Sequence, residues 1–153
     1  MVMKMDKKSA LALAEKFNKT MNMRNVEMKA ARDYGIGFPL YHSEVHLLDA
    51  INLHDGENER ELAARLGVTK GAVGQVAKKL VSKGLAESYQ LPDNKKEIYF
   101  RLTDLGRKAV TGHQRHHERI NTSLFAYIDS LEEKDVQTIM EFLDVMMQGL
   151  SNV

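Results

Sequence analysis

The run from Glu59 to Leu85, ERELAARLGVTKGAVGQVAKKLVSKGL, constrains this chain more than any other stretch. It holds two short apolar-periodic segments parted by Gly67 and Val68, which leaves room only for a tight turn between two helices. Thr69 is a good N-cap for the second of them, and Gly84 supplies its stop. At about 100° per residue, Val73, Val76, Ala77 and Leu80 fall on one side of that helix, while Gly71, Gln75, Lys78, Lys79 and Ser82 fall opposite. One face is made to pack and the other is left open. Gly71 and Gly74 each cost roughly 1 kcal/mol relative to alanine inside a helix, a loss that makes sense where the helix must lie close against another surface.

The flanking segments follow from spacing. From about Lys7 to Arg32, Ala10, Leu13, Phe17, Met21, Met28 and Ala31 form one stripe on a long helix. Two glycines and a proline in Tyr34-Gly35-Ile36-Gly37-Phe38-Pro39 then make a helix stop and a linker. Ser43 can cap a second helix carrying Val45, Leu47, Leu48 and Ile51, which Asp55-Gly56 turns. Beyond Gly84, Leu85 to Leu91 and Glu97 to Leu102 alternate with period two around Pro92-Asp93-Asn94, the pattern of a hairpin. Thr103 caps a long helix through about Ile128, and a last helix from Glu132 carries Val136, Ile139, Leu143, Met146 and Leu150 at coiled-coil-like spacing.

Helix, helix, tight turn, helix and a hairpin with a basic tip is the plan of a winged helix-turn-helix. The expected fold is mainly α with a small β-hairpin wing and with N- and C-terminal dimerisation helices. The expected division is 1–38 for the first dimerisation helix and linker, 39–110 for the DNA-binding domain, and 111–153 for the C-terminal dimerisation helices. In a major groove Gln75 could bond adenine bidentately, Lys70, Lys78 and Lys79 could reach guanine or phosphate, Gly71 would permit close approach, and the first-turn amides near Thr69 could hold a phosphate. Asn94, Lys95 and Lys96 at the hairpin tip could straddle phosphates or enter a minor groove.

Charge supports a localised partner surface. Formal net charge is only +1, yet Arg60 to Lys83 holds six basic residues against one acid, while Asp129 to Asp144 holds six acids against one lysine. With 43% hydrophobic and 28% charged residues and two prolines in 153 residues, the chain is a folding one and too short for two ordinary domains. The absence of cysteine excludes disulfides, thiolate metal sites and thiol-based sensing. No apolar stretch approaches the roughly 20 residues of a membrane span, so a soluble, cytoplasmic protein with no membrane partner is expected. No nucleophile with a base at motif spacing, no glycine-rich phosphate loop and no paired carboxylates outside charged helix faces speak for an enzyme. The rival reading is a metal-binding or protein-interaction module on the same fold without DNA binding.

Ser43-Glu44-Val45-His46-Leu47-Leu48, ELAARLGVTKGAV and the wing that ends in RLTDLGRKAV together resemble the MarR family of bacterial transcription regulators. The likeness spans Pro39 to Val110 by motif and both ends by helix pattern. It implies that the Thr69 helix is the recognition helix, that the terminal helices interleave with those of a second subunit, and that the homodimer acts as a repressor on double-stranded DNA under an effector, either a small molecule or a metal ion. Family wings usually carry Asp, any residue, then Arg where this chain has Asn94-Lys95-Lys96. A bracing carboxylate is lost there, and lysine, more strongly hydrated than arginine, should enter a narrow groove less readily.

Five of the six histidines gather in two places outside the reading segments: His42 and His46 around the second helix, and His113, His116 and His117 on the long one. His113 and His117 sit one turn apart, workable spacing for two ligands of one ion. A zinc-responsive branch of the MarR family is similar here, and by that likeness His46, His113, His117 and Glu27 would hold zinc. The acid that precedes the second-helix histidine in that branch is Val45 here, and its cysteine ligand has no counterpart.

Overall fold

A computed structural model describes residues 7–151; positions 1–6 of the expected 1–38 segment and 152–153 of the expected 111–153 segment lie outside them. In chain order the elements are α1 (Lys7–Lys29), β1 (Arg32–Asp33), β2 (Pro39–Leu40), α2 (His42–Leu53), α3 (Glu59–Leu66), α4 (Lys70–Ser82), β3 (Ala86–Leu91), β4 (Asn94–Leu102), α5 (Asp104–Asp129) and α6 (Glu133–Ser151). The chain divides into two compact units, one ending at His113 and the other beginning at Gln114, within the length of α5. None of the described helices is long and apolar enough to cross a membrane.

The first unit is organised by α2, α3 and α4, which bury Leu47, Leu48, Leu62, Val73 and Leu80 almost completely, with Leu85 closing the core from the start of the hairpin. Full burial of one such side chain contributes about 1.5–3 kcal/mol, so α4 is held chiefly by Val73 and Leu80. Ala109 and Val110 bring the start of α5 onto the same core. That helix sits flush because Gly106 has no side chain: a Cβ there would lie 2.0 Å from the Leu85 carbonyl oxygen.

Three local features differ from the sequence expectations. The cap of α2 is Tyr41, not Ser43, because Glu44 folds back and accepts a hydrogen bond from the Tyr41 backbone N–H at 2.9 Å. The first helix ends at Lys29 rather than Arg32, and β1 and β2 pair antiparallel across what was read as a plain linker. Asp33 makes that turn possible by accepting the N–H groups of Gly35 (2.8 Å), Ile36 (2.8 Å) and Gly37 (3.2 Å). In the wing, β4 starts at Asn94 instead of Glu97, so Pro92 and Asp93 alone make the turn and Lys95 and Lys96 stand on the strand.

α1 buries no residue, and Leu13, Met21 and Met28 of its stripe are all exposed. In the second unit, Ile120, Leu124 and Phe125 on α5 and Ile139 and Leu143 on α6 are likewise exposed; the Leu150 side chain lies outside the described residues.

Candidate nucleic-acid interface and histidine site

The α4 helix begins as its sequence demands. Thr69 takes extended backbone and its hydroxyl accepts the Ala72 N–H at 3.2 Å, satisfying one of the unpaired donors of the first turn. α3 is stopped by Gly67 in the left-handed region, at φ 65°. It is started by Asn58, which accepts the N–H groups of Arg60 and Glu61, while Glu61 accepts that of Asn58. Both short helices therefore carry their own boundaries. Val73, Ala77 and Leu80 turn into the core, whereas Thr69, Gly71, Gln75, Lys78 and Lys79 are exposed.

The two glycines of α4 have different causes. A Cβ on Gly74 would lie 2.5 Å from the Glu59 carboxylate of α3, so this glycine admits a nearly buried acid from inside the protein, not an outside surface. Gly71 has open space around it. Glu59 also changes the setting of Lys70, whose ammonium stands 3.8 Å from Glu59 and 3.6 Å from Glu97 of β4. Lys70 thus ties α3 and the wing to the N-terminal turn of α4. Nothing in the sequence periodicity signals Glu59, because it falls at the first position of α3, where acids are ordinary.

On the hairpin, Lys95 and Lys96 are exposed. The missing wing carboxylate is partly replaced: Asn94 accepts the Lys96 N–H at 3.3 Å, and Gln90 donates its side-chain amide to the Lys95 carbonyl at 2.6 Å. Lower down, Tyr89 and Tyr99 stack at 5.5 Å, and Arg101 lies over Tyr89 while pairing with Glu87 at 2.7 Å.

At its other end α4 is joined to α2. Glu44, 2% exposed, holds the Lys83 ammonium at 2.7 Å. On the same helix His42 and His46 lie with ring centroids 3.8 Å apart. Both border a cleft of about 280 Å³ whose other wall includes Ala72, Val73 and Val76 of α4.

His46 and His113 come together: their ring centroids are 5.1 Å apart, and a nitrogen of one ring lies within 4.8 Å of a nitrogen of the other. His113 is 4% exposed, its Nδ1 is 2.7 Å from the Asp49 carboxylate, and Tyr34 stands edge-on to it at 5.1 Å. Gly112 makes this approach possible, since a Cβ there would lie 1.9 Å from the Tyr34 carbonyl oxygen. His117 follows one turn further along α5. Glu27 lies on α1, 3.7 Å from Arg24 and 3.6 Å from Arg32. Burial pushes the Tyr34 phenol above its ordinary value; the charge of Arg32 opposes that rise and those of Glu27 and Asp49 add to it. Sequence reasoning passed over Asp49 and Tyr34. The signal for Asp49 was its place one helical turn after His46; Tyr34 carried none, being read as part of a linker.

Residues 40–98 match the model of the MarR family. The chain is 29% identical over 122 residues to the HTH-type transcriptional regulator PchR of Bacillus subtilis, covering 80% of this chain and 72% of that one. In fold it is similar to Streptococcus pneumoniae FabT, solved in complex with DNA, with a TM-score of 0.65, 21% identity and coverage of 95% and 97%. It is also similar to Lactococcus lactis ZitR, described as a zinc-responsive MarR family member, with a TM-score of 0.75, 20% identity and coverage of 92% and 99%. With its capped α4 helix, hairpin wing and flanking helices, this chain has the fold of a winged helix-turn-helix protein, and the segment that matches the MarR family model, residues 40–98, spans α2 to the wing.

Proposed function

We propose that this chain is a sequence-specific transcription repressor of the cytoplasm that grips a pseudo-palindromic operator as a homodimer. The observation that carries the reading is α4, anchored through Val73 and Leu80 while Gln75, Lys78 and Lys79 face outward. A helix held in this way can enter a major groove without disturbing its own core. Gln75 reads a base edge, Lys78 and Lys79 reach guanine or phosphate, Gly71 and the Thr69 turn allow close contact, and Lys95 and Lys96 meet the backbone from the wing. Lys70 contributes to the same surface through its hold on the wing. The exposed apolar stripes on α1 and α6 suit pairing with a second copy, which would set two recognition helices about one helical turn of DNA apart. The chain acts by binding and not by catalysis.

The proposed effector is zinc. His46 and His113 offer imidazole nitrogens close together in a largely buried setting, with Asp49 behind one of them, and borderline-soft Zn²⁺ suits such donors. His117 and Glu27 complete the proposed ligand set. A bound ion would add a positive charge that draws these side chains together and so biases how freely the heads move.

Gel-shift titration against the DNA upstream of the chain's own coding region tests the reading. Binding should weaken steeply as salt rises, and Gln75→Ala with Lys78→Ala should abolish it while leaving the dimer intact. Loss of neither, or no salt-sensitive binding to any duplex, overturns the DNA reading in favour of a metal or protein-interaction module.

A further inference from the structure

We propose that Asp49 is a positioning residue that fixes His113 as an Nε2 donor to a bound divalent metal ion. The inference rests on the zinc reading above and adds a residue to it.

An ionised carboxylate can only accept hydrogen bonds. In the proposed arrangement, the proton of the 2.7 Å contact between His113 Nδ1 and Asp49 Oδ2 sits on Nδ1, and in the neutral ring the lone pair is then on Nε2. The ring has little other freedom. It is nearly buried, Tyr34 and His46 stand edge-on to it, and the Gly112 backbone is pressed against the Tyr34 carbonyl. Asp49 belongs to this site by placement as well as by contact. It lies three residues after His46 on α2, so a single helix turn supplies one donor directly and the brace for the other. Its second oxygen, Oδ1, is buried without a hydrogen-bond partner among the described residues, which leaves His113 as the side chain that holds this carboxylate. A carboxylate behind a ligating imidazole orients the ring, sets its tautomer and makes the free nitrogen a better donor. It also supplies negative charge near a dication that neutral imidazoles cannot.

The test uses the full-length protein, its Asp49→Ala variant and its Asp49→Asn variant. Long-range nitrogen NMR of the metal-free protein should show His113 protonated on Nδ1 in the wild type and in Asp49→Asn, which keeps an acceptor. In Asp49→Ala the proton should move to Nε2. Zinc affinity, measured by competition with a chromophoric chelator, should fall about 10–100-fold in Asp49→Ala and by less in Asp49→Asn, with thermal unfolding followed in parallel. An Nε2-protonated His113 in the metal-free wild type overturns the proposal even if Asp49→Ala fails to fold. Equal zinc affinity in the wild type and a folded Asp49→Ala overturns the role of Asp49 and leaves the zinc reading standing. A wild type that binds no zinc overturns the zinc reading and this role with it, whatever the tautomer.

Discussion

α4 and the terminal helices carry similar apolar stripes but use them in opposite ways. α4 sinks Val73, Ala77 and Leu80 into the core of the first unit, whereas α1, nearly twice as long, buries nothing and leaves Leu13, Met21 and Met28 exposed. α6 repeats the pattern of α1, with Ile139 and Leu143 exposed. Isolated helices gain little from propensity, and most helical stability in proteins comes from burying an amphipathic face. The difference teaches that the head is completed by its own residues, while the terminal helices leave their apolar stripes exposed, which is the feature the proposed dimer would use.

The largest expected effect lies in the head. Leu80→Ala should destabilise it by about 2–5 kcal/mol, seen as a lower midpoint in urea unfolding. Leu143→Glu on α6 should act the other way round, leaving the fold of the head intact by circular dichroism while sedimentation shows a shift from dimer to monomer. If Leu143→Glu instead unfolds the head and leaves the mass unchanged, the contrast between the two regions is wrong.

The two glycines of α4 sharpen the comparison within one helix. Gly71 has open space, so Gly71→Ala should raise stability by about 1 kcal/mol and at the same time weaken operator binding if α4 lies against a duplex. Gly74→Ala should not show that gain, because its methyl group would displace the Glu59 carboxylate and loosen the Lys70 bridge to Glu97. Equal stabilisation by both would sink the assignment of Gly74 to Glu59.

The lysines differ in a subtler way. Lys78→Ala should reduce the slope of log affinity against log salt by about 1, as loss of a phosphate contact does. Lys70→Met should lower affinity with a smaller change of slope, because Lys70 is engaged by two carboxylates of its own chain. A full unit lost from the slope in Lys70→Met would restore it as a direct phosphate contact.

These contrasts also mark what was legible in the sequence. Helix order, the Thr69 cap, the hairpin and the packing face of α4 followed from spacing and capping chemistry, because those signals are local. The pairing of His46 with His113 was reachable only through family resemblance, since the two lie far apart in the chain. What escaped were interactions between elements with no periodic signature: Glu59 filling the space above Gly74, Lys70 bridging to β4, and Asp49 behind His113. The Tyr41 cap escaped because tyrosine is not a capping type. It serves through its backbone N–H, which Glu44 accepts.

The smallest effect sits where α1 passes into the head. Asp33 accepts three backbone N–H groups from Gly35, Ile36 and Gly37, and chiefly the bond from Ile36 holds its carboxyl below the ordinary carboxylate value. A depressed folded-state value means that the ionised form is the one the fold favours. The stabilisation is then fully present above the ordinary carboxylate range and is lost as pH falls through the lowered one. Asp33→Asn keeps an acceptor but no charge, so its melting temperature should lie slightly below that of the wild type at neutral pH, and the gap should close in acid. A gap that persists unchanged at low pH would mean that Asp33 acts there by shape alone. The turn that lets the unburied α1 leave the buried head would then owe nothing to its charge.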